Sequence, residues 1–419
     1  MRSTQALLPG ATFEHDRLLA PQQALIAYMA AVSLGPPGTE TIALAAAFGR
    51  VLARDAVARE AFPAQARSTM DGFAVRSADG LEPRRIAGEI RMGQPPPGRV
   101  GRGEAMQIPT GGTLPAGADA VVPIEDAEGG PGTLIPRAAP QPGEYVTAAG
   151  SDMASGEIAL AAGRRIGGAE MGVLATLGQV TLSVYRRPRF AVISTGDELI
   201  DAALAPGIGQ VRDSNRWAIA GALAAMGADV LQLPNAPDDL GLLRTALAEG
   251  LAQADGVFLT GGSSVGERDL TPEAIEGFGG PGVIVHGLRV KPGKPTVLAA
   301  IGAKPVIGLP GNPTSALTIL EAVCAPLVRS MTGDRTGRPV SVVSVAGAPF
   351  SGRAGWTWFV PAELRCDAGG TERAYPLPLR SAHTSLLARA SGYVVLTEDR
   401  SSIATGTALE VVRFSGGGR

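Results

Sequence analysis

The spacing of apolar residues along the chain predicts helices first and short strands afterwards. Residues 17–34 carry apolar side chains at helical spacing and end at the breaker GPPG, so they predict a helix. A second helical piece is predicted for residues 43–55 (ALAAAFGRVLARD). Residues 55–150 instead show short apolar runs between Gly- and Pro-rich turns, a pattern typical of a small all-β unit. Residues 151–187 predict short strands and one small helix around Gly168–Leu177.

Residues 188–330 alternate between strand patterns and amphipathic helices, which predicts a parallel, doubly wound sheet. The predicted strands are RFAVIST, ADVLQLP, GVFLTGG, VIVHGLRV, PTVLAAI and PVIGLP. The predicted helices are capped by Ser214 or Asn215 and by Asp238 or Asp239, or open at Thr271-Pro272 and near Pro313. After about Gly333 the pattern is again that of a small β domain. Doubly wound sheets bind ligands at the carboxyl ends of their strands.

Composition narrows the classes of function that this pattern can serve. The formal net charge of −2, from 37 basic and 39 acidic residues, gives no overall field for binding nucleic acid or an anionic membrane. The two cysteines form no CxxC pair, so neither a disulfide framework nor a cysteine zinc site is expected. The sequence shows no recognisable signal peptide or membrane-spanning stretch, and the expected location is therefore cytoplasmic.

Residues 260–266 (TGGSSVG) form a candidate phosphate loop between a predicted strand and a predicted helix. Glycines let backbone N–H groups approach a phosphate, and hydroxyl groups add further donors. The segment is not a Walker A loop, because no Lys followed by Ser or Thr comes after its last glycine. A tight turn without a ligand would use the same residues, so both interpretations stay open at this point.

Acidic residues lie at predicted strand ends or in the loops that follow them, at Asp197-Glu198, Asp238-Asp239 and Asp269. Carboxylates at one edge of a sheet repel each other by roughly 4 kcal/mol per close pair at an effective dielectric near 20. A cation would relieve this repulsion, and oxygen ligands suit Mg²⁺, which commonly bridges phosphates. Each acid could alternatively be a helix cap, and Asp238 and Asp213 could be only that.

Two further segments could bind an anion. Lys291-Pro292-Gly293-Lys294 places two lysines on a Pro-Gly turn, which makes a compact cationic hook for a phosphate or an oxyanion. A solvated hairpin with exposed lysines is the alternative. Residues 308–313 (GLPGNP), which include Pro310 and Asn312, end a predicted strand and open the last helix. Their fixed dihedral angles suit either a bound ligand or a rigid turn.

Eight segments, in chain order, carry a resemblance to a known family. They are STMDGFAV, PTGGTLPAGADAVVPIED, GSDMASGE, STGDELI, DSN, TGGSSVGERD, VKPGKP and GLPGNPTSA. The first three are only polar turns when each is taken alone. Together the eight resemble, in order and over nearly the whole chain, the motifs of the molybdopterin molybdenumtransferase family. These enzymes are the molybdenum insertases, which include the E domain of gephyrin.

The resemblance implies a multidomain α/β plus β fold and a homodimer. An elongated split domain would comprise residues 17–54 and 151–187, with the small β domain at 55–150 inserted in it. A central, doubly wound α/β domain that binds molybdopterin would follow at 188–330, and a C-terminal β-barrel-like domain at 334–419. In the homodimer, the inserted and elongated domains of one subunit would face the α/β domain of the other.

The resemblance further implies a Mg²⁺-dependent enzyme that inserts molybdate into adenylylated molybdopterin and releases AMP. The catalytic residues expected by motif are Asp71, Glu198, Asp269 and Lys291, with Glu198 and Asp269 also as metal ligands. The substrate-binding residues expected are Thr110, Asp152, Asp238, Gly261, Gly262, Ser263, Ser264, Gly266, Lys294, Pro310 and Asn312. Of these, Asp71, Thr110 and Asp152 would come from the partner-facing side. The upstream adenylyltransferase and molybdoenzyme chaperones would be protein partners, and neither nucleic acid nor membrane is expected.

Two alternatives stay open. One is a non-catalytic pterin-binding carrier or scaffold on the same fold. It is favoured where motifs depart from the family's usual form, as at Gly287, where some members have a basic residue. The other is the molybdopterin adenylyltransferase, whose fold resembles the α/β domain alone. The inserted β unit and the PTGGT segment argue against this second alternative.

Overall fold

The computed structural model describes residues 18–261, 270–337, 339–367, 369–378 and 384–415. The chain divides into two compact units. The first comprises Met1–Ala53, Gly163–Gly167 and Thr181–Arg419, and the second comprises Arg54–Ala162 and Gly168–Val180. The second unit therefore contains the predicted β insertion together with a short later segment that returns to it. The finer division into four domains remains a prediction.

The N-terminal part of the first unit contains one helix and one strand, α1 (Pro21–Ala31) and β1 (Thr39–Ala43). A proline occupies the first turn of α1, where its missing N–H costs no helical hydrogen bond. The predicted second helix at residues 43–55 is wrong, since only a short 3₁₀ turn, Leu44–Ala46, is helical there. Gly49 has a φ of +74°, a left-handed conformation that interrupts a right-handed helix, and the residues after it form β-bridges instead.

The second unit is built from short strands and one helix. In chain order these are β2 (Ala56–Val57), β3 (Arg67–Ser68), β4 (Gly72–Val75), β5 (Arg84–Glu89), β6 (Glu104–Ile108), β7 (Ala120–Pro123), β8 (Ala127–Glu128), β9 (Thr133–Pro136), β10 (Val146–Thr147), β11 (Ile158–Leu160) and α2 (Gly168–Thr176). Six strands form a sheet in the order β7-β4-β6-β5-β9-β8. Ala74 and Met106 belong to one apolar cluster and Val75 and Ala105 to another, because successive side chains of a strand point to opposite faces. The β character of this region and its small helix are confirmed.

The α/β part of the first unit follows β12 (Thr181–Tyr185), which pairs antiparallel with β1. Its elements are β13 (Arg189–Ser194), β14 (Leu199–Ile200), β15 (Val211–Arg212), α3 (Asn215–Ala225), β16 (Asp229–Gln232), α4 (Leu240–Gln253), β17 (Gly256–Thr260), α5 (Leu270–Glu276), β18 (Pro281–His286), β19 (Val290–Lys291), β20 (Val297–Ile301), β21 (Lys304–Leu309), α6 (Pro313–Ile319) and α7 (Ala325–Thr332). A π-helical segment, Leu320–Cys324, joins α6 to α7. Helix α4 has the predicted cap, because the Asp239 side chain accepts a hydrogen bond from Leu242 N at 2.9 Å.

One mixed sheet forms the centre of this part, in the strand order β16-β13-β17-β21-β20-β18. The first four strands are parallel, whereas β20 runs antiparallel to both of its neighbours. The prediction of a wholly parallel sheet is therefore wrong for β20. The reason is local, since Ile301 pairs with Lys304 across a turn too short for the helical crossover that a parallel pair requires. The doubly wound α/β class is confirmed.

Alternate side chains of the parallel strands point to opposite faces of the sheet and form two apolar cores. Phe190 and Val192 of β13, with Phe258 of β17, pack with residues of α1, α3, α6 and α7 on one face. Ala191 and Ile193, from the same strand β13, pack with residues of α4 and α5 on the other. The rings of Phe190 and Phe258 meet edge to face with centroids 5.3 Å apart. Because of this alternation, helices cover both faces of the sheet, and loops lie at its carboxyl edge.

The C-terminal part of the first unit is a small barrel. Its elements are β22 (Ser341–Ala346), β23 (Phe350–Ser351), β24 (Thr357–Cys366), β25 (Glu372–Pro376), α8 (Thr384–Arg389), β26 (Gly392–Leu396), β27 (Ser402–Ile403) and β28 (Ala408–Arg413). The sheet closes because β24, β25, β22, β28 and β26 pair in turn and β26 also pairs with β24. The predicted barrel-like domain is confirmed. Strand β19 of the α/β part joins this barrel, with Lys291 opposite Trp358. Among the described residues, no helix has the length and apolar character needed to cross a bilayer.

Candidate functional site

The loops after the parallel strands meet at the carboxyl edge of the mixed sheet. Thr195, directly after β13, donates a backbone hydrogen bond of 2.8 Å to Thr260 O at the end of β17, and it forms a β-bridge with Ala236. Gly196 N donates to Ala236 O at 3.2 Å. The loop after β13 is therefore joined both to the loop after β16 and to the end of β17. Doubly wound sheets bind their ligands at this edge.

Three of the predicted acidic side chains lie in these joined loops. Asp197 Oδ1 accepts a hydrogen bond from Asp238 N at 3.1 Å, so the two loops share a direct contact. The Glu198 carboxylate folds back over Gly196, where an added Cβ would lie 2.6 Å from its Oε2. Glu198 and Asp238 are exposed, which leaves their carboxylate oxygens accessible to a cation or to water. The structure thus brings the acidic residues after β13 and β16 to one place.

Gly261, the second residue of the predicted phosphate loop, has a backbone conformation that glycine adopts without strain. Its φ is +103°, and a Cβ at this position would lie 2.1 Å from Thr195 O. The chain that leaves β17 is therefore pressed against the loop after β13. The other predicted residues of this segment, and the acid that follows it, lie outside the described residues, and their roles stay predictions: Gly262, Ser263, Ser264, Gly266 and Asp269.

Among the described residues, the predicted metal site is represented by Glu198. The described residues contain no group of three or more metal-binding side chains. Mg²⁺, however, is commonly held by one or two carboxylates together with waters and substrate phosphates, and it then needs no complete protein cage. The exposed carboxylate of Glu198 fits a site of this kind. Its predicted partner in metal binding, Asp269, is among the residues that the structure does not describe.

The two-lysine turn, Lys291–Lys294, lies at the same edge of the sheet. Val297, the first residue of β20, pairs with Gly308 near the end of β21, so the turn that precedes β20 lies beside the loops described above. Only three of the 37 basic residues of the chain are lysines, and two of the three are in this turn. Because a lysine ammonium is a compact point charge suited to phosphate, the presence of two of the three lysines in this turn is a further sequence signal for an anion-binding site.

Packing fixes the conformation of the two-lysine turn. Gly293 has a φ of +106°, and a Cβ at this position would lie 2.2 Å from Ile319 Cγ1, a side-chain atom of α6. Thr296 Oγ1 donates a hydrogen bond of 2.7 Å to Gly293 O. Lys291 is exposed, and its Nζ lies 5.5 Å from the centre of the Trp358 ring, within the range of a cation–π contact. The backbone that carries both lysines is therefore held in place.

The turn after β21 contains the remaining predicted substrate-binding residues, Pro310 and Asn312. Pro310 is buried, whereas Asn312 is exposed and directly precedes α6. Ala316 N donates to Asn312 O at 2.9 Å, which begins the hydrogen bonding of this helix. Gly311 lies against Gly261, since a Cβ added to Gly311 would be 3.4 Å from Gly261 Cα. The turn after β21 and the start of the predicted phosphate loop are therefore neighbours.

The start of α3 contributes to this edge in two ways, of which the sequence indicated one. Asp213 is buried, and its Oδ1 accepts a hydrogen bond from Arg216 N at 3.1 Å, so it has the capping role that was left open for it. Asn215 instead reaches across the edge and donates hydrogen bonds to Thr260 Oγ1 at 2.9 Å and to Gly311 O at 2.7 Å. The DSN motif includes this asparagine, but the motif does not reveal these contacts.

Several polar side-chain atoms at this edge are buried without a hydrogen bond to the part of the protein that the structure describes. They are Ser194 Oγ, Thr195 Oγ1 and Asn215 Oδ1. Ser194 pairs with Thr260 in the ladder between β13 and β17, so these atoms flank the end of β17. A buried polar group without a hydrogen bond costs about 1–3 kcal/mol, and such groups are rare in native proteins. The three atoms at this edge could therefore form hydrogen bonds with a ligand bound there.

Two predicted residues of the second unit contact each other. Thr110 N donates a hydrogen bond of 2.7 Å to Asp71 Oδ1, and Gly111 N donates one of 2.8 Å to Ser68 O. The STMDGF and PTGGT segments therefore form one pair of loops, on which Asp71 and Thr110 are exposed. Asp152 lies on a different turn, where its backbone N–H donates to Phe62 O at 3.1 Å. Among the described residues, no hydrogen bond joins Asp152 to the first pair.

The carboxyl edge of the mixed sheet carries acidic and basic groups at different points along a row of strands. The acidic loop follows β13, and the lysine turn precedes β20, with β17 and β21 between them. Because neighbouring strands lie about 4.8 Å apart, this row extends over roughly 14 Å. Carboxylates suit a divalent cation, and lysines suit a phosphate or an oxyanion. The arrangement fits an elongated anionic ligand that also carries a metal ion.

Similar sequences cover most of the chain. Residues 19–178 match the MoeA N-terminal region (domain I and II), residues 191–330 match the probable molybdopterin binding domain, and residues 344–414 match the MoeA C-terminal region (domain IV). Molybdopterin molybdenumtransferase 2 of Mycobacterium tuberculosis is 32% identical over 382 residues, which are 88% of this chain and 94% of the relative. The molybdopterin molybdenumtransferase of Nostoc sp. is 33% identical over 320 residues, which are 73% of this chain and 72% of the relative.

Solved structures show the same fold. The molybdopterin biosynthesis moea protein from Pyrococcus horikosii has a TM-score of 0.75 at 30% identity and covers 95% of this chain and 100% of its own. A structure of the corresponding protein from Pyrococcus horikoshii OT3 has a TM-score of 0.83 at 22% identity, again over 95% of this chain. The similarity therefore includes both the sequence and the arrangement of the elements.

Proposed function

Because the chain belongs to the family of molybdopterin molybdenumtransferases, we propose that it inserts molybdenum, supplied as molybdate, into adenylylated molybdopterin and releases AMP. The observation that carries this proposal is the single edge at which the acidic loops, Gly261 and the two-lysine turn meet. A pterin joined to AMP through phosphates is long and anionic, which is the kind of ligand that this edge fits. The family gives the enzyme class, and the edge gives the reason for the adenylylated substrate.

In the proposed complex, the two lysines would bind the phosphate link or the molybdate oxyanion. Lys291 would do so from its place beside Trp358. The backbone of the turn is further held because Leu288 N donates a hydrogen bond of 2.8 Å to Lys294 O. Charges that are already in place stabilise the charge that develops in a reaction without the cost of reorganising solvent. Gly261, Pro310 and the turn around them would orient the ligand between the lysines and the acids.

The acidic end of the edge would hold the proposed Mg²⁺. Glu198 and Asp269 would be its protein ligands, and Asp238 would lie beside them on the loop that Asp197 Oδ1 fixes. When bound, Mg²⁺ would neutralise phosphate oxygens and polarise the link that is broken to release AMP. The protein side chains would orient the metal and a water molecule near that link.

We further propose a homodimer in which Asp71, Thr110 and Asp152 of one protomer act with the α/β part of the other. What supports this is the exposed position of all three residues and the hydrogen bond that joins the first two. The upstream adenylyltransferase and molybdoenzyme chaperones would be partners that deliver substrate and accept product. The cytoplasm would be the setting, since its reducing conditions suit a chain whose two cysteines are both free thiols.

A reconstituted assay tests the proposed function. Purified protein is mixed with adenylylated molybdopterin, molybdate and Mg²⁺, AMP is measured by liquid chromatography, and pterin-bound molybdenum is measured by mass spectrometry. We expect AMP and pterin-bound molybdenum to appear together, and neither to appear without Mg²⁺. Tight pterin binding without AMP release would overturn the proposal in favour of a carrier. Formation of adenylylated pterin from ATP and molybdopterin would overturn it in favour of an adenylyltransferase.

The chain offers a matched control for the lysine turn. Lys304 begins β21 at the opposite end of the sheet, so Lys304→Met removes the same charge away from the proposed site. Lys291→Met or Lys294→Met should raise KM for the adenylylated pterin about tenfold, which corresponds to loss of roughly 1.4 kcal/mol from a charge-assisted contact. Lys304→Met should leave KM unchanged. An equal effect of all three substitutions would show that net charge, and not this turn, matters.

A further inference from the structure

Asn215 joins three parts of the chain that lie far apart in sequence. It is the first residue of α3, and its Nδ2 donates hydrogen bonds to Thr260 Oγ1 at 2.9 Å and to Gly311 O at 2.7 Å. Thr260 ends β17 and is 1% exposed, and its hydroxyl donates in turn to Pro310 O at 3.4 Å. One side-chain amide therefore connects α3, the end of β17 and the turn after β21.

The start of α3 does not depend on these contacts. Asp213 Oδ1 accepts the hydrogen bond from Arg216 N that caps the helix, and Asp213 Oδ2 lies 3.4 Å from Arg216 Nε. Ser214, the residue at the N-cap position, contributes no side-chain cap. Because another residue provides the cap, the amide of Asn215 is free to bind across the edge.

The two acceptors determine why the residue is an asparagine. Gly311 O is a carbonyl oxygen and can only accept, so the NH₂ group of Asn215 must face it. An aspartate would place a carboxylate oxygen against this carbonyl oxygen, and an alanine would make neither bond. The Oδ1 atom of Asn215 is buried without a hydrogen bond among the described residues. Among the described residues, the hydrogen bonds of this side chain are made by its NH₂ group, and these two bonds set its orientation.

The contacts of Asn215 lie where the ladder between β17 and β21 ends. Thr260 and Leu309 form the last pair of this ladder. Beyond it the two segments continue as Gly261 and Pro310, which are the first substrate-binding residues predicted in each of them. Asn215 donates to the Thr260 side chain at the end of β17 and to the Gly311 backbone after β21. These two bonds extend the connection between β17 and β21 beyond the end of their ladder.

We propose that Asn215 is a positioning residue that fixes the turn Pro310–Asn312 against Gly261. This inference rests on the proposed function, because these two segments are the ones expected to bind the adenylylated pterin. Asn215 acts through the backbone of the binding segments and not on the reacting groups. Its loss should therefore weaken substrate binding, seen as a higher KM, more than it slows turnover.

Substitutions at both ends of one hydrogen bond test the inference. Asn215→Ala and Thr260→Val should each raise KM for the adenylylated pterin about tenfold and change kcat much less. Thr260→Ser keeps the hydroxyl group and should restore KM to near the wild-type value. The double variant Asn215→Ala with Thr260→Val should raise KM by clearly less than the product of the two single effects, because both substitutions remove the bond from Asn215 Nδ2 to Thr260 Oγ1.

Tyr28→Phe is the matched control for a merely structural loss. It removes one buried side-chain hydrogen bond in the same unit, that from Tyr28 OH to Ala299 O at 3.0 Å. We expect it to lower the Tm about as much as Asn215→Ala does while KM stays unchanged. The inference is overturned if KM in Asn215→Ala stays near the wild-type value, or if Tyr28→Phe raises KM equally. It is also overturned if the effects of the double variant multiply.

Hydrogen exchange separates failure of this inference from failure of the proposed function. Backbone amides of residues 308–314 should exchange about tenfold faster in Asn215→Ala than in the wild-type protein, and at the wild-type rate in Tyr28→Phe. If the wild-type protein releases no AMP, the proposed function fails, and the exchange result then decides whether Asn215 holds the turn. Unchanged exchange in Asn215→Ala would overturn the inference whatever the assay shows.

Discussion

Val297 pairs with Gly308 across the antiparallel strands β20 and β21. This contact determines where the two-lysine turn lies, because the turn ends only a few residues before Val297. If β20 had followed a helical crossover, it would run parallel to β21 and would begin at the opposite edge of the sheet. The reversed strand, which the sequence pattern did not predict, is thus what brings the cationic turn to the edge that carries Glu198 and Gly261.

The scarcity of lysine allows a direct test of this placement. Reductive methylation should modify Lys291 readily in the free protein, since its side chain is exposed. Saturation with adenylylated molybdopterin should protect Lys291 and Lys294, because their ammonium groups would then bind the ligand. Peptide mass spectrometry measures the extent of modification at each lysine. Lys304 is the internal control and should react equally with and without ligand, and protection at Lys304 alone would contradict the proposed site.

Gly261 should not tolerate a side chain. In Gly261→Ala the added Cβ would lie 2.1 Å from Thr195 O, at a φ of +103° that disfavours alanine. Overpacking of this kind costs about 1–3 kcal/mol, so we expect a lower free energy of unfolding together with a loss of AMP release. Chemical denaturation and the AMP assay measure the two effects.

Gly221→Ala is the control for this substitution. Gly221 lies on α3, and a Cβ there would have no atom within 4 Å. Alanine in a helix should raise the free energy of unfolding by about 0.5–1 kcal/mol and leave AMP release unchanged. The interpretation of Gly261 would be wrong if both variants lost activity, or if Gly261→Ala were as active as the wild-type protein.

Asp334 should stabilise the fold only while it is ionised. Its side chain is 2% exposed, and Arg165 Nε donates a hydrogen bond of 2.8 Å to its Oδ2. Burial alone raises the pKa of Asp334, but hydrogen bonds from Arg165, Gly337 and Thr336 outweigh burial, and the net pKa lies below the ordinary 3.8. A carboxyl with a depressed folded pKa stabilises the protein above its unfolded pKa, and this stability is lost as the pH falls through the folded pKa.

The depressed pKa of Asp334 predicts how the substitution Asp334→Asn changes stability with pH. At pH 7 it should lower the free energy of unfolding by about 2 kcal/mol, because the charged hydrogen bond to Arg165 is lost. The difference in Tm from the wild-type protein should shrink below about pH 4, where the wild-type carboxyl also becomes protonated. Calorimetry between pH 3 and 7 measures the Tm of both proteins. A Tm difference that stays constant over this range would refute the role given to the ionised Asp334.

Glu321 should have the opposite pH dependence. It is buried in the π-helical segment, and its Oε2 accepts a hydrogen bond from Ser415 Oγ at 2.9 Å. Burial raises the pKa of Glu321 above the ordinary 4.5, and the hydrogen bonds from Ser415 offset only part of this. A raised carboxyl pKa gives stability that is complete below the unfolded pKa and is lost as the pH rises through the folded pKa.

Glu321→Gln removes this ionisation while keeping an oxygen that can accept a bond from Ser415. The Tm of Glu321→Gln relative to that of the wild-type protein should therefore increase as the pH rises from about 4.5 towards 8, because only the wild-type protein loses stability when Glu321 ionises. Thermal scans across this range provide the measurement. The pKa argument would fail if the relative Tm fell with rising pH, or if it did not change.

Features that depend on local chemistry could be predicted from the sequence. Asp239 caps α4 as predicted, and α6 begins at Pro313, because caps and first-turn prolines act within a few residues. The apolar runs of β13 and β17 also form strands where they were predicted, although the strands end at Ser194 and Thr260, since a strand buried on both faces needs a continuous apolar segment. These elements are enough to place the acidic loop and Gly261 at one edge.

Features set by pairing between distant segments could not be predicted in the same way. The run VIVHGLRV was predicted as one strand, but the chain turns at Gly287, whose φ is +86°, between β18 and β19. Strand β19 then pairs with Thr357 and Trp358 of the barrel, far along the chain. The contacts of Asn215 span 45 and 96 residues. No local pattern carries information over such distances.

The pairing of Lys291 with Trp358 has a consequence for any attempt to shorten or recombine this protein. A fragment that stopped at Gly333 would contain every strand of the mixed sheet. However, Lys291 of the two-lysine turn would lose its pairing with β24 and its contact with the Trp358 ring. A chimera with a barrel from another protein would need to reproduce the pairing of Val290 and Lys291 with Thr357 and Trp358. The barrel strand that contains Trp358 is therefore better kept together with the two-lysine turn than removed as a separate module.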